Sequence, residues 1–382
     1  MTRICHLQVF PMMSGAQRSM LETFKQIDPA RYEVEVVCKE PGPLTDELAR
    51  LRIPVFFAPS LDRAIHPWRD FQAYRELYRI FAARKYDVVH THSSKPGVVG
   101  RLAARRVGVP VVVHQVHAFA FHEYSPWYKR WLYSTIERLV ARHCDRMLFV
   151  NSEERDLVIQ RGWLPAADCQ TIYNGADLEA VNPRHVAQHR QVHRARWQAG
   201  EDEIIILFMG RLEYPKQPLL LAEIAERLER LRPHETWRLV VAGTGPDEAS
   251  LRRAVAALGM THRVKLLGWQ EDPLSVSHAA DIALLPSLAE GLPRSLIEAQ
   301  AVGLPIVASA AKGNREVVTR DSGFLCPPKD PDAFAQCLAR LIDSTELRQS
   351  MGRAARQHAE QCFDTVSNNR QIVAVYDSLL AA

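Results

Sequence analysis

Short apolar runs alternate with segments of helical periodicity along most of the chain. The runs have the length of strands buried on both faces, and the segments between them repeat apolar residues three and four positions apart. This alternation is typical of parallel sheets whose strands are joined by helices. It ends near Asn174-Gly175 and restarts at Ile204, after a polar stretch. The pattern predicts an α/β fold with two doubly wound, Rossmann-like domains and an inter-domain cleft at the carboxyl ends of the strands.

The predicted boundaries follow from where the alternation stops. We expect a first domain at 1–177, a linker at 178–203 and a second domain at 204–365, which are ordinary domain sizes for a chain of 382 residues. A final helix is expected over 366–382. The sequence leaves open whether this helix crosses back to the first domain.

The composition of the chain limits its expected binding partners and its expected cellular location. The net charge of +4 is small for this length, so nucleic acid is not an expected partner. The seven cysteines are scattered, and the first residues lack the features of a secretory signal, which together predict a cytoplasmic protein. No segment approaches the roughly 20 uninterrupted apolar residues that span a bilayer. Any membrane contact is therefore expected to be peripheral.

The stretch from Glu290 to Ala299 carries two carboxylates around a predicted helix start. It follows an apolar run, 281–286, that predicts a buried strand. Pro293 suits the first helical position, where its missing N–H is not needed. A helix start offers N–H groups and a positive dipole end to an anion. With Glu290 before it and Glu298 within it, the stretch predicts a site for a phosphate-bearing polyol such as a sugar nucleotide. An ordinary turn with two solvated glutamates is the alternative.

A second candidate, Gly210 to Lys216, directly follows the first predicted strand of the second domain. Pro215 is expected to begin a helix, and Arg211 and Lys216 flank the turn. A guanidinium makes forked hydrogen bonds and an ammonium is a point charge, so the pair suits a diphosphate. A solvated loop is the alternative.

Two glycine-containing loops need separate interpretations. Ser14-Gly15-Ala16 occupies the corresponding place after the first strand of the first domain, where Gly15 lets a backbone approach a phosphate closely. Gly243-Thr244-Gly245-Pro246 lacks the third glycine of a dinucleotide fingerprint, and we assign it a structural role.

Five histidines lie close together in the sequence of the first domain. His90 and His92 share one predicted strand, and we expect them to face opposite ways and to make a poor chelate. His114, His117 and His122 come with the next strand and its loop. No cluster of cysteines or carboxylates accompanies them, so no metal site is predicted. His117 is the first candidate for substrate contact because it follows a strand's carboxyl end, and His92 is the second.

Aromatic and basic residues interleave over 122–143, which is predicted to be largely helical. Trp127, Tyr128 and Trp131 stand beside Lys129 and Arg130, and the positive excess of the chain lies in this first domain. Such a surface suits peripheral contact with an anionic membrane leaflet. A buried aromatic face with ordinary solvated charges is the alternative.

Jointly, these motifs resemble those of a retaining glycosyltransferase of family 4, with the GT-B fold. The resemblance covers nearly the whole chain. It rests on Glu290-x7-Glu298, on Gly210-Arg211-Leu212 with Lys216, on the Ser14-Gly15-Ala16 loop, on His117-x-Phe119 and on Asn174-Gly175-Ala176-Asp177. Ser14 and Ala118 depart from the residues common in the family. These departures affect how closely the backbone would fit the donor, and they leave the resemblance to the family unchanged.

The resemblance implies a role for each of the main site residues. Arg211 and Lys216 would hold the donor diphosphate and stabilise the leaving nucleoside diphosphate. Glu298 would bind ribose hydroxyls, and Glu290 would orient the donor sugar. His117 would contact that sugar near the reacting carbon.

The resemblance also implies supporting residues. Backbone N–H groups near Gly15 and Leu292-Pro293 would complete the phosphate cradle, and the nucleotide base would be bound near Trp269. The implied donor-binding set is Gly15, Gly210, Leu292, Pro293, Glu298 and Trp269. The segments that contain His92 and Lys95 are similar to those of members acting on lipid-linked acceptors, which places both residues on the acceptor side.

Family members usually need no metal, so the resemblance implies that no metal or other cofactor is required. Members that build bacterial polysaccharides commonly use UDP-sugars, so the resemblance also implies a UDP-sugar donor. It implies retention of configuration through front-face attack assisted by the leaving phosphate oxygen. Spacing alone leaves a double displacement open.

The expected function is transfer of a sugar from a UDP-sugar to an undecaprenyl-diphosphate-linked glycan acceptor, in bacterial surface polysaccharide synthesis at the inner face of the cell membrane. One alternative keeps the fold and changes the reaction, to a small-molecule glycosyltransferase or a sugar-nucleotide epimerase. A non-catalytic partner subunit is the remaining alternative, against which the intact set of charged site residues argues.

Overall fold

The computed structural model describes residues 1–9, 11–62, 64–181 and 183–381. They form two compact units, Met1–Asn174 with Thr365–Ala382, and Gly175–Asp364. Asn182 and Ala382, which fall in the predicted linker and the predicted final helix, lie outside the described residues.

The first unit is built on a seven-stranded parallel sheet in the order β3-β2-β1-β4-β5-β6-β7. Its strands are β1 (Thr2–Leu7), β2 (Tyr32–Cys38), β3 (Val55–Phe57), β4 (Val88–His92), β5 (Val111–Val116), β6 (Arg146–Phe149) and β7 (Cys169–Thr171). Its helices are α1 (Gly15–Phe24), α2 (Pro43–Arg50), α3 (Pro67–Arg84), α4 (Ser94–Val107), α5 (Trp127–Ala141), α6 (Ser152–Gln160) and, from the end of the chain, α15 (Thr365–Leu380).

Both faces of this sheet are buried, which explains the continuous apolar runs. Successive residues of one strand belong to different hydrophobic cores. Val89 packs into the core that contains Phe81 and Phe149, whereas Val88 packs into the core that contains Phe24 and Tyr376.

The second unit repeats the design with a six-stranded parallel sheet in the order β10-β9-β8-β11-β12-β13. Its strands are β8 (Ile204–Met209), β9 (Trp237–Ala242), β10 (Val264–Gly268), β11 (Ile282–Leu285), β12 (Ile306–Ser309) and β13 (Gly323–Cys326). Its helices are α7 (Pro183–Trp197), α8 (Pro218–Leu231), α9 (Glu248–Ala257), α10 (Pro273–Ser277), α11 (Arg294–Ala301), α12 (Asn314–Val317), α13 (Pro331–Asp343) and α14 (Thr345–Cys362).

The structure differs from the linker expected at 178–203, because helix α7 occupies most of that segment and belongs to the second unit. Arg190 and Arg194 attach this helix to Asp281 at 2.6 and 2.5 Å. This polar segment forms a helix that is held by ion pairs and hydrogen bonds. The helix was not predicted because the segment has no apolar stripe.

The strand order of each sheet reverses beside its first strand. In the first unit the chain builds outwards from β1 to β2 and β3, and then returns to place β4 on the other side of β1. The second unit does the same around β8, with β9 on one side and β11 on the other. Loops diverge at such a switch point, and α/β sheets bind ligands there.

Candidate functional site

The switch point of the second unit brings together two of the predicted site residues. Lys216 lies in the loop after β8, and Glu290 lies in the loop after the neighbouring strand β11. The Lys216 ammonium is 2.6 Å from the Glu290 carboxylate, and the two side chains are only 18% and 11% exposed. A weakly solvated charge needs a partner, so each residue holds the other at the carboxyl edge of the sheet.

The rest of the β8 loop is more open. Arg211 is 54% exposed in its side chain and pairs with Glu213 at 2.7 Å. Pro215 does not begin a helix, contrary to expectation, because α8 starts only at Pro218. The backbone oxygen of Pro215 instead accepts a hydrogen bond from the Leu288 N–H at 2.9 Å, which ties the β8 loop to the loop after β11.

Helix α11 begins directly after the Glu290 loop. Pro293 is its N-cap residue, and Arg294, not Pro293, is the first helical residue. Leu292 and Pro293, the last residues of that loop, are buried. Arg294 and Glu298 face the same way, as their spacing predicts, and approach within 3.5 Å.

Two glycines outside the predicted donor set shape these loops. A Cβ on Gly243 would lie 1.9 Å from the Gly210 carbonyl oxygen, and the φ of Gly243 is +141°. A Cβ on Gly313, at φ +81°, would lie 2.4 Å from the Gly291 carbonyl oxygen. Only a residue without a Cβ fits either position, so Gly243 supports the β8 loop and Gly313 supports the Glu290 loop.

Trp269 lies further from the switch point than the charged residues. It follows β10, the edge strand, which is separated from β8 by β9. Its side chain is 58% exposed. Gly268, immediately before it, accepts a hydrogen bond from the Gly243 N–H at 2.8 Å, which connects this edge to the loop that supports Gly210.

In the first unit, Gly15 and His92 lie next to the switch point of the sheet, which is formed by the neighbouring strands β1 and β4. Gly15 is the exposed first residue of α1, which follows β1, and Ser14 is the N-cap. His92 ends β4 and is buried. Lys95, in the first turn of α4, is ion-paired with Asp70 and donates a hydrogen bond to the Ala64 carbonyl.

His90 and His92 do not face opposite ways, so that expectation was wrong. Residues two apart on a strand point to the same face, and the rings of His90 and His92 stack with centroids 4.3 Å apart. His6, on the neighbouring strand β1, joins them, and all three are buried. His92 in turn is hydrogen-bonded to His117, with 3.2 Å between Nδ1 and Nε2.

Burial keeps these imidazoles neutral. It lowers the pKa of His6 to about 3 and that of His117 to about 4. Burial, reinforced by repulsion from neighbouring imidazoles, lowers the pKa of His90 and of His92 well below its usual range. The cluster is therefore an uncharged hydrogen-bonding group at neutral pH.

Some participants carried no signal in the sequence. His6 lies within an apolar strand, and Tyr376 reaches His90 and His6 from α15. The spacing of Arg294 from Glu298 indicates only a shared helix face, yet the Nε and Nη1 of Arg294 are buried and have no hydrogen-bond partner among the residues that the structure describes. A positive charge with unused donors at the start of α11 adds to the capacity of this unit to bind an anion.

Comparison with known proteins identifies the class. Residues 14–175 match the family described as Glycosyl transferase 4-like domain, and residues 189–358 match Glycosyl transferases group 1. Over 378 residues the chain is 33% identical to the UDP-Gal:alpha-D-GlcNAc-diphosphoundecaprenol alpha-1,3-galactosyltransferase of Escherichia coli, covering 98% of this chain and 96% of that protein. The chain belongs to the group 1 glycosyltransferases.

Other similarities extend the comparison. The glycosyltransferase is 32% identical to the D-inositol 3-phosphate glycosyltransferase of Streptomyces griseus subsp. griseus, over 74% of this chain and 65% of that protein. The crystal structure of Anabaena Alr3699/HepE in complex with UDP-glucose superposes with a TM-score of 0.82 at 22% identity, covering 99% of this chain and 100% of that one. The fold is GT-B, as predicted, and the enzyme is a hexosyltransferase.

Among the residues that the structure describes, no helix has both the length and the apolar character needed to cross a bilayer.

Replacing Gly243 tests the support of the β8 loop. We expect Gly243→Ala to lower the free energy of unfolding by at least about 2 kcal/mol, because the new Cβ would strike the Gly210 carbonyl and φ is unfavourable for alanine. Gly200→Ala is the matched control, since its Cβ would meet only the Glu203 Cβ at 3.8 Å. Chemical denaturation measures both, and equal stabilities would contradict the proposed close approach.

The neutral histidines predict acid sensitivity. Between pH 6.5 and the lowered pKa of each, the unfolded chain binds a proton that the folded chain does not, so stability falls as pH falls. Each buried histidine contributes up to about 1.4 kcal/mol per pH unit. We expect a lower Tm at pH 5.5 than at pH 7.5, with a smaller difference in His90→Gln. The exposed His262→Gln should keep the full difference, and a pH-independent Tm in the unaltered protein would contradict the assignment.

Proposed function

We propose that the glycosyltransferase moves a sugar from a UDP-sugar to a lipid-linked glycan acceptor of the undecaprenyl-diphosphate type, with retention of configuration. The similarity to the Escherichia coli enzyme supports both substrates, because its name gives UDP-galactose as donor and a diphosphoundecaprenol-linked GlcNAc as acceptor. The likeness to a protein crystallised with UDP-glucose agrees with a UDP-sugar donor. UDP-galactose is therefore the first donor to test.

The observation that carries the proposal is the Lys216–Glu290 pair at the switch point of the second unit. An ammonium and a carboxylate held side by side offer opposite charges to the two parts of a nucleotide sugar. Lys216 would take the diphosphate, whose negative charge grows as the bond to the sugar breaks. Glu290 would accept hydrogen bonds from the sugar hydroxyls and so orient the sugar.

The neighbouring residues complete the proposed donor contacts of this unit. Arg211 is exposed enough to reorient from Glu213 towards a diphosphate. Glu298, within α11, would bind the ribose hydroxyls. The backbone at Gly210 and around Leu292-Pro293 would approach the phosphates, and Trp269 would border the base.

Residues of the first unit have their own proposed roles. His117 would contact the donor sugar near the reacting carbon, and the backbone at Gly15 would approach the diphosphate. We assign Lys95 to the acceptor side, whereas His92, which is buried and hydrogen-bonded to His117, would act there only through His117. Lys95 already contacts the Asp70 carboxylate and the Ala64 carbonyl, so an acceptor phosphate would have to compete with Asp70 for its ammonium group.

We propose that the reaction needs no metal. Lys216, Arg211 and Arg294 supply three positive charges around the ends of β8 and β11. Cations at these positions can stabilise a leaving diphosphate in the way that a bound divalent ion does in other transferases.

A membrane contact is proposed for the surface of α5 and its flanks, residues 122–143. The alternative of a buried aromatic face does not hold for Trp127, Tyr128 and Trp131, which are 79%, 53% and 65% exposed. Lys129 and Arg130 are exposed between them. Aromatic rings with cations suit the interface of an anionic leaflet, and a lipid-linked acceptor would place the enzyme at the cytoplasmic face of the cell membrane.

Release of UDP tests the reaction and the charged residues. With UDP-galactose, a GlcNAc-diphospholipid acceptor and EDTA, we expect acceptor-dependent UDP release. Lys216→Ala and Glu298→Ala should each lower kcat by about 100-fold or more, the usual effect of removing one charge or donor from a transition-state site.

Matched variants separate these effects from general damage. Lys265→Ala removes a lysine of the same unit that donates a hydrogen bond to the Trp197 carbonyl, and Glu248→Ala removes the carboxylate of another i,i+4 pair. Both should retain turnover. Full activity of Lys216→Ala and Glu298→Ala would refute the assigned roles, and no UDP release with any common UDP-sugar would refute the reaction.

Vesicle binding tests the α5 surface. Each tryptophan side chain that inserts into the leaflet contributes about 2 kcal/mol to the free energy of binding. Trp127→Ala combined with Trp131→Ala should therefore weaken binding to anionic phospholipid vesicles by at least about 10-fold in a sedimentation assay. Trp269→Ala, which removes an exposed ring of the second unit, should bind as the unaltered enzyme does. Unchanged binding of the double variant would exclude this surface, and no vesicle binding at all would favour a small-molecule acceptor.

A further inference from the structure

We infer that a chain of buried side chains fixes the ring orientation and the tautomer of His117. The chain runs through His92, His6, Tyr376 and His90. The inference rests on the proposed contact between His117 and the donor sugar, because only that contact makes the tautomer of His117 matter for transfer. The members of the chain are positioning residues, since they act through His117.

The links of the chain are short enough to be hydrogen bonds. His117 Nε2 is 3.2 Å from His92 Nδ1, and His92 Nε2 is 2.9 Å from His6 Nδ1. His6 Nε2 is 3.4 Å from the Tyr376 hydroxyl, which lies 2.5 Å from His90 Nδ1. Each of the two inner imidazoles uses both of its ring nitrogens.

The fold explains why these residues meet. His6 and His90 are register partners on the adjacent parallel strands β1 and β4, and His92 is the next residue along β4 that points to the same face. Helix α15 covers that face and supplies Tyr376. The chain thus runs from beneath α15 to the carboxyl end of the sheet, where His117 follows β5.

Proton counting makes the links interdependent. Each buried imidazole is neutral and carries one ring proton, because burial lowers its pKa. If one ring donates at one nitrogen, it must accept at the other. The direction of donation therefore propagates, and the hydroxyl of Tyr376 determines which nitrogen of His117 is protonated.

The two bonds of Tyr376 indicate the direction. A hydroxyl donor makes a shorter bond than a ring N–H. We therefore assign the 2.5 Å contact to donation from Tyr376 to His90 Nδ1, and the 3.4 Å contact to donation from His6 Nε2 to Tyr376. His6 then accepts from His92 Nε2, and His92 accepts from His117 Nε2. His117 is accordingly protonated on Nε2 and not on Nδ1.

A metal ion is the competing occupant of the three-histidine group. Nitrogens of His6, His90 and His92 lie within 4.8 Å of one another, and His90 Nε2 has no partner in the part of the chain that the structure describes. A divalent ion there would bring two positive charges into a buried site, and no carboxylate or thiolate of the described residues belongs to the group. The uncompensated charge favours the hydrogen-bonded chain.

The consequence for catalysis is that Tyr376 of α15 influences His117, the proposed sugar contact of the same unit. Loss of the Tyr376 hydroxyl leaves the His6 Nε2–H without its acceptor, so both directions of donation become populated. His117 would then occupy a mixture of tautomers. Outer hydrogen-bond partners of metal-bound histidines typically change function by 10- to 100-fold, and we expect kcat to fall by about 10-fold in Tyr376→Phe with the donor KM unchanged.

The test is ¹⁵N spectroscopy of the full-length protein labelled at histidine, with the His117 resonances assigned by their loss in His117→Gln. In the unaltered protein we expect His117 to be protonated on Nε2 alone. In Tyr376→Phe, the two ring nitrogen shifts of His117 should move towards each other. His6→Leu, which removes the ring between His92 and Tyr376, should do the same and keeps the test available if Tyr376→Phe does not fold.

Tyr86→Phe is the matched control. It removes another buried tyrosine hydroxyl of the same unit, one that bonds Glu35 at 2.6 Å and packs in the other core. It should leave the His117 shifts unchanged. Because the spectrum needs no turnover, its outcome is independent of whether the enzyme uses the proposed donor and acceptor.

Three outcomes would overturn the inference. The first is a His117 spectrum that is unchanged in both Tyr376→Phe and His6→Leu, or that changes equally in Tyr86→Phe. The second is protonation of His117 on Nδ1 in the unaltered protein. The third is one equivalent of a transition metal in the purified protein, lost in His6→Leu, because the three nitrogens would then be ligands.

Discussion

Burial of both faces of each parallel sheet is the constraint on which the rest of this structure depends. It removes polar groups from the faces and concentrates them at the carboxyl ends of the strands, where β8 and β11 diverge and Lys216 meets Glu290. His6, His90 and His92 are among the polar residues that nevertheless lie within a buried face. Polar groups persist there when they bond one another, and most of the ring nitrogens of this group do.

The architecture and the charged loops could be predicted because both follow from local sequence. Continuous apolar runs gave the strands from β8 to β12, and loops at strand ends gave Arg211, Lys216 and Glu290. The spacing of Arg294 and Glu298 predicted a shared helix face, and the structure confirms it. The short edge strands β7 and β13 were not predicted, because each has only three or four residues and partly exposed side chains.

Other features lay beyond local pattern. Helix α7 is polar and held by ion pairs to Asp281, so no apolar stripe announced it. Gly243 and Gly313 matter through approaches to distant backbone carbonyls. The bond between Tyr376 and His90 joins residues 286 positions apart, a separation that no spacing rule covers. The expectation for His90 and His92 failed for a simpler reason, since a strand repeats every two residues.

The return of α15 to the first unit has a consequence for synthesis of the protein. Residues Met1–Asn174 leave the ribosome before the second unit, but Thr365–Leu380, which belong to the same unit as Met1–Asn174, leave after it. The face of the first sheet that contains His6 and His90 therefore lacks part of its cover while nearly 200 further residues are translated. During that interval a partly open apolar face is exposed to misassociation. Completion of the second unit precedes completion of the first, although its sequence comes later.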